Sequence, residues 1–419
     1  TADVGVWDRA RLDAIAPAHP LAVMIQSMHS VFVNSLALSL AGIGDDTPDP
    51  AGGGRFQRDA NGRLTGKLEE TPAIEYVFRF TPRSFEATQN GLREQYRRYA
   101  RAGLTTLGVA GTFAPARLLE QLAGDPSQPV RLVTYLRQQN AADLPADGPD
   151  SRDRYRVRGL KLWYDGSPYT GTMLVDEPYL DSPLCRDTLG IPPGSRGHSN
   201  FAGEDLRDLL LGLHREGWQV MTHAQGDRAT REILDLYEGV LTSHLRPDHR
   251  WRIEHCALIG GDSLARAARL GVAVSFHLNH VYYYGPELRD SILGPERAEA
   301  LMPVGTAVRM GHRVSLHADS PMYPPEPLRL VRTAVTRLTR NGDQIAPGEA
   351  ITLDQALRAV TIDAAWQLFA EDEVGSIETG KRADFTVLER NPFEVAPADV
   401  DRIAVSGTWL DGRPTNVSE

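Results

Sequence analysis

The chain has 419 residues, of which 41% are apolar and 24% charged, and its formal net charge is −10 at pH 7. This composition allows one large α/β domain plus a small one. The acidity argues against a nucleic-acid partner, and the lack of a run of about 18 apolar residues argues against a transmembrane helix. Its two cysteines, Cys185 and Cys256, are too few for a disulfide framework, so we expect a reducing, cytoplasmic location.

The first hundred residues show no regular alternation of strands and helices. Leu21–Gln26 and Arg55–Glu70 are predicted to form strands or hairpins with glycine-rich turns nearby. We interpret residues 1–100 as an inserted segment that covers one end of a barrel, together with a lead-in helix. That helix is predicted over Ser84–Ala102, where Ser84 is a suitable N-cap.

Residues 101–370 alternate between short apolar runs and amphipathic helices, for example Gly203–Glu216 and Arg228–Leu241. This alternation predicts a parallel sheet with helices outside it, the α/β architecture of a TIM barrel. A (β/α)₈ barrel has eight strands. The seven strands that we identify are Gly103–Val109, Pro129–Tyr135, Val157–Trp163, Gly217–His223, Trp251–His255, Gly271–Phe276 and Gly311–His317.

Residues 371–419 are predicted to form a small β-sandwich layer beside the barrel. Short strands separated by glycine turns occupy Val374–Pro414. A helix over Leu353–Phe369 would connect this layer to the barrel. The polar stretch Asn140–Asp153, which contains two prolines, is predicted to be an exposed loop.

Several predicted strands end in a side chain that can bind metal: Lys161, His223, His255 and Asp319. The carboxyl ends of barrel strands converge on one site, so we expect these side chains to meet. Imidazole nitrogens and a carboxylate suit zinc or a similar divalent ion. Taken singly, each has a structural explanation, such as a salt bridge for Lys161 or a helix cap for Asp319. Their ordered occurrence on separate β units favours a metal site.

Longer motifs surround these residues in the same order along the chain. They are Met28–Ser35, Arg58–Gly66, Asp165–Ser167, Thr222–Asp227, Arg252–His255, His317–Pro321 and Gly375–Asp384. In these motifs the chain resembles the amidohydrolase superfamily, and in particular its YtcJ-like branch (amidohydrolase family 3). The resemblance covers essentially the whole chain and implies a TIM barrel of the metal-dependent hydrolase type.

The resemblance also implies roles for the four strand-end residues. Lys161 would be a bridging ligand in a site of one or two zinc ions, with its amine neutral or carboxylated, because a lysine cation would repel the metal. His223 and His255 would bind the second metal. Asp319 would bind as well, hold the attacking water and take its proton. The reaction implied is hydrolysis of an amide, N-formyl or related C–N bond through a metal-bound hydroxide.

Further residues are implied to face a small-molecule substrate. His280 and His29 match family positions, and Asp165 and Ser167 belong to the motif that follows Lys161. The alternation along a strand puts His317 on the face of Asp319, one layer deeper, as a partner of the ligands. Tyr282–Tyr284 are expected in a loop, as packing residues or as a substrate wall; with Trp163 and Tyr164 they would leave room for an apolar or aromatic group. Cys256 is predicted to be a core residue.

The chain departs from the superfamily in one respect. The superfamily places a His-x-His pair on barrel strand one, whereas none of the twelve histidines forms such a pair; His277 and His280 have the wrong spacing and lie too late. We therefore expect the first barrel strand to be absent from this chain and an upstream segment, or less plausibly a separate chain, to complete the barrel. A seven-strand barrel would expose unpaired backbone groups that cost roughly 1–3 kcal/mol each.

Other functions stay open at this point. One alternative is an inactive homologue with a binding or regulatory role; another is a metal-dependent ester or lactone hydrolase or a decarboxylase. Metal content and its link to activity separate the first alternative from an enzyme, and substrate screening separates the second. A homo-oligomer is compatible with this class.

Overall fold

The computed structural model describes residues 7–78, 84–112, 114–149, 154–201 and 203–417. The segment ahead of the barrel contains three helices and four strands. In chain order these are α1 (Arg9–Ile15), β1 (Ala22–Met24), β2 (Ser30–Val33), α2 (Ser35–Leu40), β3 (Arg55–Arg58), β4 (Leu64–Glu69) and α3 (Glu70–Phe78).

These four strands form an antiparallel sheet in the order β1-β2-β4-β3. The sheet buries its own apolar cluster, which includes Val33, Phe56 and Leu68. Asn34 begins α2 by accepting a hydrogen bond from the backbone amide of Ala37, a standard N-cap that frees the chain to turn after β2. The strands predicted at Leu21–Gln26 and Arg55–Glu70 are thus present, the second as a hairpin.

The main domain alternates strands and helices. Its elements are α4 (Phe85–Arg101), β5 (Thr106–Ala110), α5 (Ala116–Ala123), β6 (Arg131–Arg137), β7 (Tyr155–Trp163), α6 (Gly203–Arg215), β8 (Gln219–Ala224), α7 (Asp227–Ser243), β9 (Arg252–His255), α8 (Gly261–Leu270), β10 (Ala273–Phe276), α9 (Asn279–Glu287), α10 (Pro295–Ala298), α11 (Val304–Arg309), β11 (Ser315–Leu316), α12 (Pro327–Thr336), α13 (Leu353–Ala359) and α14 (Ile362–Gln367). Short 3₁₀ or π-helical turns lie at Gln138–Asp143, Leu184–Leu189, Leu288–Ile292 and Pro347–Glu349.

The seven strands β5 to β11 form one parallel sheet in chain order. The predicted α/β architecture and all seven predicted strands are confirmed, although β11 is reduced to two residues. In the described part of the chain, β5 and β11 are the edges of this sheet. The expected eighth strand stays a prediction, and so do the boundaries of the three predicted segments.

The two faces of the parallel sheet carry different apolar clusters. Leu160, Leu162 and Ile253 belong to the cluster that packs against the surrounding helices. Tyr135 and Met221 belong to a separate inner cluster. Successive side chains of a strand alternate between faces. Therefore the residue between Leu160 and Leu162, which is Lys161, faces the interior.

The end of the chain adds a three-stranded antiparallel sheet. Its strands are β12 (Phe385–Leu388), β13 (Val405–Leu410) and β14 (Arg413–Val417), separated by 3₁₀ turns at Pro392–Glu394 and Pro397–Arg402. Arg131 of β6 reaches this layer and pairs with Asp384 at 2.9 Å, with both side chains almost fully buried. Thr408 adds a hydrogen bond to the carbonyl of Ala100 at 3.0 Å. The small layer therefore packs at the amino end of the parallel sheet.

Two local predictions need correction. The helix expected over Leu353–Phe369 is two helices, α13 and α14, because Thr361 adopts a non-helical backbone that breaks the run. The exposed loop expected over Asn140–Asp153 begins inside a 3₁₀ helix, and its residues 150–153 lie outside the described residues. Over the ranges that the structure covers, no helix has both the length and the apolar character that crossing a membrane requires.

Candidate metal centre

The structure brings the four strand-end residues to one place. Lys161 lies on β7, His223 on β8 and His255 at the end of β9, while Asp319 follows β11. The ring centroids of His223 and His255 are 4.3 Å apart. Lys161 interacts electrostatically with both rings and with Asp319. The four side chains thus share the carboxyl end of the sheet interior, although their roles as ligands stay a prediction.

Lys161 is held in surroundings that disfavour its charge. Burial lowers its pKa from 10.5 to about 8, although Glu254 and Asp319 act in the opposite direction. Gly111 packs against the stem of this lysine: a Cβ there would lie 3.0 Å from Cγ of Lys161 and 2.3 Å from a ring carbon of Trp163. Only glycine fits this approach without displacing the indole. A lysine whose pKa lies near neutral pH can lose its proton. Such an amine suits metal ligation or carboxylation better than a permanently charged one.

A group of six histidines lines this end of the interior. Neighbouring ring centroids in the group are 4.3 to 5.6 Å apart. Burial leaves the pKa of five of them below its ordinary value, which favours neutral rings with free lone pairs; His29 is the exception, because charged neighbours outweigh its burial. The six are His29, His223, His255, His277, His280 and His317.

Several of these rings have unused nitrogens. Nδ1 of His255 and Nε2 of His277, His280 and His317 are buried without a hydrogen-bond partner in the described part of the chain. One nitrogen each of His255, His277 and His317 lies within 4.8 Å of the others. Buried polar atoms are normally paired. Convergent imidazoles with free nitrogens therefore fit a divalent metal of the zinc type.

Strained backbone is concentrated at the same strand ends. His255 has φ of 73°, Cys256 of 55° and Asp319 of 55°, which is the left-handed region that residues other than glycine seldom occupy. Such conformations cost of order 1–3 kcal/mol each and cluster at functional sites. The strain turns the chain sharply where β9 ends and where Asp319 follows β11. Cys256 itself is fully buried in the apolar core, as the sequence predicts.

Asp165 and Ser167 lie in the loop after β7. The carboxylate of Asp165 is fully buried and accepts hydrogen bonds from the backbone amides of Leu174, Gln225 and Gly226, each at 3.0 Å. Burial raises the pKa of Asp165 to about 7. Ser167 is also buried. These contacts give Asp165 a structural role; contact of either residue with substrate stays a prediction.

His29 reaches this site from the inserted segment. Its Nδ1 lies 2.9 Å from the carboxylate of Glu70, and its ring is 5.3 Å from that of His223. Burial lowers the pKa of His29, but Glu70 more than compensates, so its pKa ends above the ordinary value. Glu70 is 2% exposed and has φ of 62°. The segment therefore contributes a buried His–carboxylate pair beside the histidine group.

His280 lies within α9 and hydrogen-bonds to the hydroxyl of Tyr169. The tyrosines that follow, Tyr282–Tyr284, belong to the same helix rather than to a loop. Ring contacts extend from Tyr169 to Tyr284, whose centroids are 4.7 Å apart. An aromatic surface thus borders the histidine group, but its contact with substrate is untested.

Sequence reasoning missed two residues of this site. His277 directly follows β10, as the other histidines end their strands, and that position was a usable signal. The second is Glu254, which points inward and accepts a hydrogen bond from Arg252. The carboxylate of Glu254 lies 3.7 Å from Nε2 of His317. His317 was expected one layer deeper than the ligands, and that expectation stays a prediction; one of its nitrogens lies within 4.8 Å of a nitrogen of His255 and of His277.

A parallel α/β sheet with lysine, histidine and aspartate side chains at its carboxyl end defines the class of metal-dependent hydrolases built on TIM-type barrels. Comparison with known proteins confirms this class. The profile of the amidohydrolase family matches residues 6–416. The chain therefore belongs to the amidohydrolase family.

Individual relatives agree with this assignment. The chain is 31% identical to an N-substituted formamide deformylase of Arthrobacter pascens, over 96% of this chain and 74% of the relative. It is 27% identical to the putative amidohydrolase YtcJ of Bacillus subtilis (strain 168), over 96% and 75%. The fold also resembles the crystal structure of an uncharacterised metal-dependent hydrolase from Pyrococcus horikoshii OT3, with a TM-score of 0.73 at 23% identity. The match covers 93% of this chain and 75% of that one. The YtcJ-like resemblance is confirmed.

Proposed function

We propose that this protein is a metal-dependent hydrolase that cleaves an amide, N-formyl or related C–N bond. One observation carries the proposal: His223 and His255 pack at 4.3 Å beside a buried Lys161, at the carboxyl end of a parallel sheet. Burying an amine next to two neutral imidazoles costs free energy unless these side chains bind a ligand. A cation that accepts their lone pairs would remove that cost.

The residues divide into cation ligands and a proton carrier. Lys161, His223 and His255 would hold the cation, with Lys161 neutral or carboxylated. A bound divalent ion, zinc by the preference of imidazole ligands, would polarise the substrate carbonyl and lower the pKa of water to about 7. Asp319 would take a proton from the attacking water and pass it to the leaving nitrogen.

Two features favour a leaving nitrogen over a leaving oxygen. Amines are poor leaving groups unless protonated, and Asp319, which interacts electrostatically with Lys161, would deliver that proton. His29, paired with Glu70, places a second proton-carrying group next to His223. The similarity to an N-substituted formamide deformylase points to the same bond type.

A matched substrate panel tests the reaction. The full chain, stripped of metal and then reloaded with Zn²⁺, is offered N-formyl amines, simple amides, and esters and lactones of the same skeleton. We expect turnover of the nitrogen compounds by the loaded protein only. Faster turnover of the esters would replace the proposal by an ester or lactone hydrolase, and metal uptake without any turnover would favour a binding protein.

A chemical rescue tests the state of Lys161. Replacing Lys161→Ala should abolish turnover, because the bridging group is lost; a small carboxylate such as acetate should restore part of it if the natural group is a carboxylated amine. Lys381→Ala, in the C-terminal layer, is the control and should retain activity. If acetate restores nothing while the variant stays folded, carboxylation of Lys161 is excluded from the mechanism.

A further inference from the structure

Three histidines at the ends of adjacent strands converge, and two of them lie outside the ligand set proposed above. His255 ends β9, His277 directly follows β10, and His317 directly follows β11. The parallel register pairs His255 with Phe276 and Phe276 with Leu316, so the three positions lie at nearly one level. Their ring centroids are 4.8, 5.0 and 5.6 Å apart, and one nitrogen from each ring lies within 4.8 Å of the others.

The hydrogen bond of His277 through Nδ1 leaves its Nε2 free to bind a ligand. Its Nδ1 lies 3.3 Å from the carbonyl oxygen of His317, which can only accept, so Nδ1 carries the proton. Nε2 then presents a bare lone pair, and it is buried without a partner in the described part of the chain. A backbone carbonyl that orients a ring in this way is the usual support behind a metal-binding histidine.

The other two rings also have an unpartnered nitrogen. Nδ1 of His255 and Nε2 of His317 are also buried without hydrogen-bond partners in the part of the chain that the structure covers. Each unpaired buried group costs roughly 1–3 kcal/mol. One nitrogen of each ring lies within 4.8 Å of the others, so a single ion that accepts lone pairs from all three rings would remove this cost.

We propose that His255, His277 and His317 form a three-imidazole cation site of zinc type. This site goes beyond the proposed function, because it shares only His255 with the Lys161–His223–His255 set. Three protein ligands leave a tetrahedral ion one open position. At bond lengths of about 2.0–2.1 Å the ligand nitrogens would be roughly 3.3 Å apart, so small ring rotations complete the site. Two carboxylates add negative charge near the site: Glu254 lies 3.7 Å from His317, and Asp319 interacts electrostatically with His277.

The test uses Co²⁺ as the probe on the full chain after removal of metal. We expect one tightly bound Co²⁺ with the visible absorption of a tetrahedral nitrogen-rich site. X-ray absorption of the Zn²⁺ form should show three imidazole ligands at about 2.0–2.1 Å. Absence of Co²⁺ uptake, or a spectrum typical of octahedral oxygen ligands, would overturn the proposal.

Variants assign the ligands. His277→Gln and His317→Gln should each lower the Co²⁺ affinity by more than about tenfold. His312→Gln is the matched control, because that partly buried ring bonds to the Leu264 carbonyl away from the site, and it should leave the affinity unchanged. His277→Cys keeps a ligand and should add a sulfur-to-cobalt charge-transfer band, a signature that loss of folding cannot produce.

The same measurements separate this site from the function proposed above. If Lys161→Ala and His223→Gln lose turnover and keep only the Co²⁺ that has the spectrum of the three-imidazole site, both proposals stand. If those two variants lose the ion while His277→Gln and His317→Gln keep it, the three-imidazole site is wrong and the proposed function stands. If the ion binds at the three imidazoles and no substrate is turned over, the proposed function fails and the site remains.

Discussion

The two ends of the sheet interior treat buried polar groups in opposite ways. At the amino end, Gln367 is fully buried and its amide makes four hydrogen bonds: to the carbonyls of Val274 and Arg313, and from Ser315 and Arg252. That uses the whole capacity of an amide. At the carboxyl end, four histidines each keep a buried nitrogen without a partner.

The difference separates polar groups that build the fold from those kept for a ligand. A fully bonded amide specifies how strands meet and leaves nothing to bind. Unpaired rings are a cost to the fold that only a bound partner can offset. Damage at the amino end should therefore appear as lost stability, and damage at the carboxyl end as lost chemistry.

The largest effect should come from the carboxyl end. Asp319→Asn keeps the shape of the side chain but removes its ability to take a proton, so kcat/KM on the best C–N substrate should fall about 10²- to 10⁴-fold. The free energy of unfolding should change by less than about 1 kcal/mol. Asp343→Asn, on the exposed surface, is the control. Retained turnover in Asp319→Asn would remove this residue from the mechanism.

The amino end gives the converse result. Gln367→Ala removes all four hydrogen bonds of the buried side-chain amide, so the free energy of unfolding should fall by roughly 3–5 kcal/mol in urea titrations. The activity per folded molecule should persist. Gln344→Ala, whose exposed amide makes one bond, should cost less than about 1 kcal/mol. An equal loss in both variants would break the contrast between the two ends.

Acid should also act at the amino end of the sheet. His249, before β9, bonds to the Leu270 carbonyl through Nε2 and accepts the Trp251 amide at Nδ1. Burial lowers its pKa from 6.5 to about 4. The unfolded chain therefore binds more protons between these values, and stability falls as pH drops through this window, by roughly 3 kcal/mol in total.

Unfolding measured from pH 7 to pH 4 checks this acid response. His249→Gln should flatten the pH dependence, whereas His19→Gln, at an exposed position, should reproduce the wild-type slope. A wild-type slope in His249→Gln would assign the acid response to other groups.

Removal of metal should lower stability by somewhat less than Gln367→Ala or acid does. At an ion concentration 100 times the Kd, binding adds about 2.7 kcal/mol to the free energy of unfolding, and a chelator should remove that amount. Zn²⁺ should restore it, while Mg²⁺ should not, because Mg²⁺ prefers oxygen ligands. Thermal melts before and after chelation make the comparison. An unchanged melting temperature would mean that the free histidine nitrogens hold no ion.

Prediction from sequence succeeded where periodicity is strong. The strand runs of 101–370 are apolar and regularly spaced, so their order and direction could be predicted. It failed where the local backbone conformation decides the extent of a helix. Thr361 breaks the helix expected over Leu353–Phe369. Tyr282–Tyr284 form part of a helix rather than a loop. The break at Thr361 has no proline or glycine beside it, whereas Gly285 and Pro286, which suggest a turn after the tyrosines, lie inside α9.

The sequence by itself determined the alternation of strands and helices, the family, and the gathering of Lys161, His223, His255 and Asp319, because parallel strands bring their carboxyl ends together whatever their separation in the chain. Only the tertiary structure decided which lone pairs are free. The carbonyl of His317 orients His277, and Glu70 holds His29, through contacts between residues 40 and 41 positions apart. Such pairings depend on ring orientation, which periodicity does not encode.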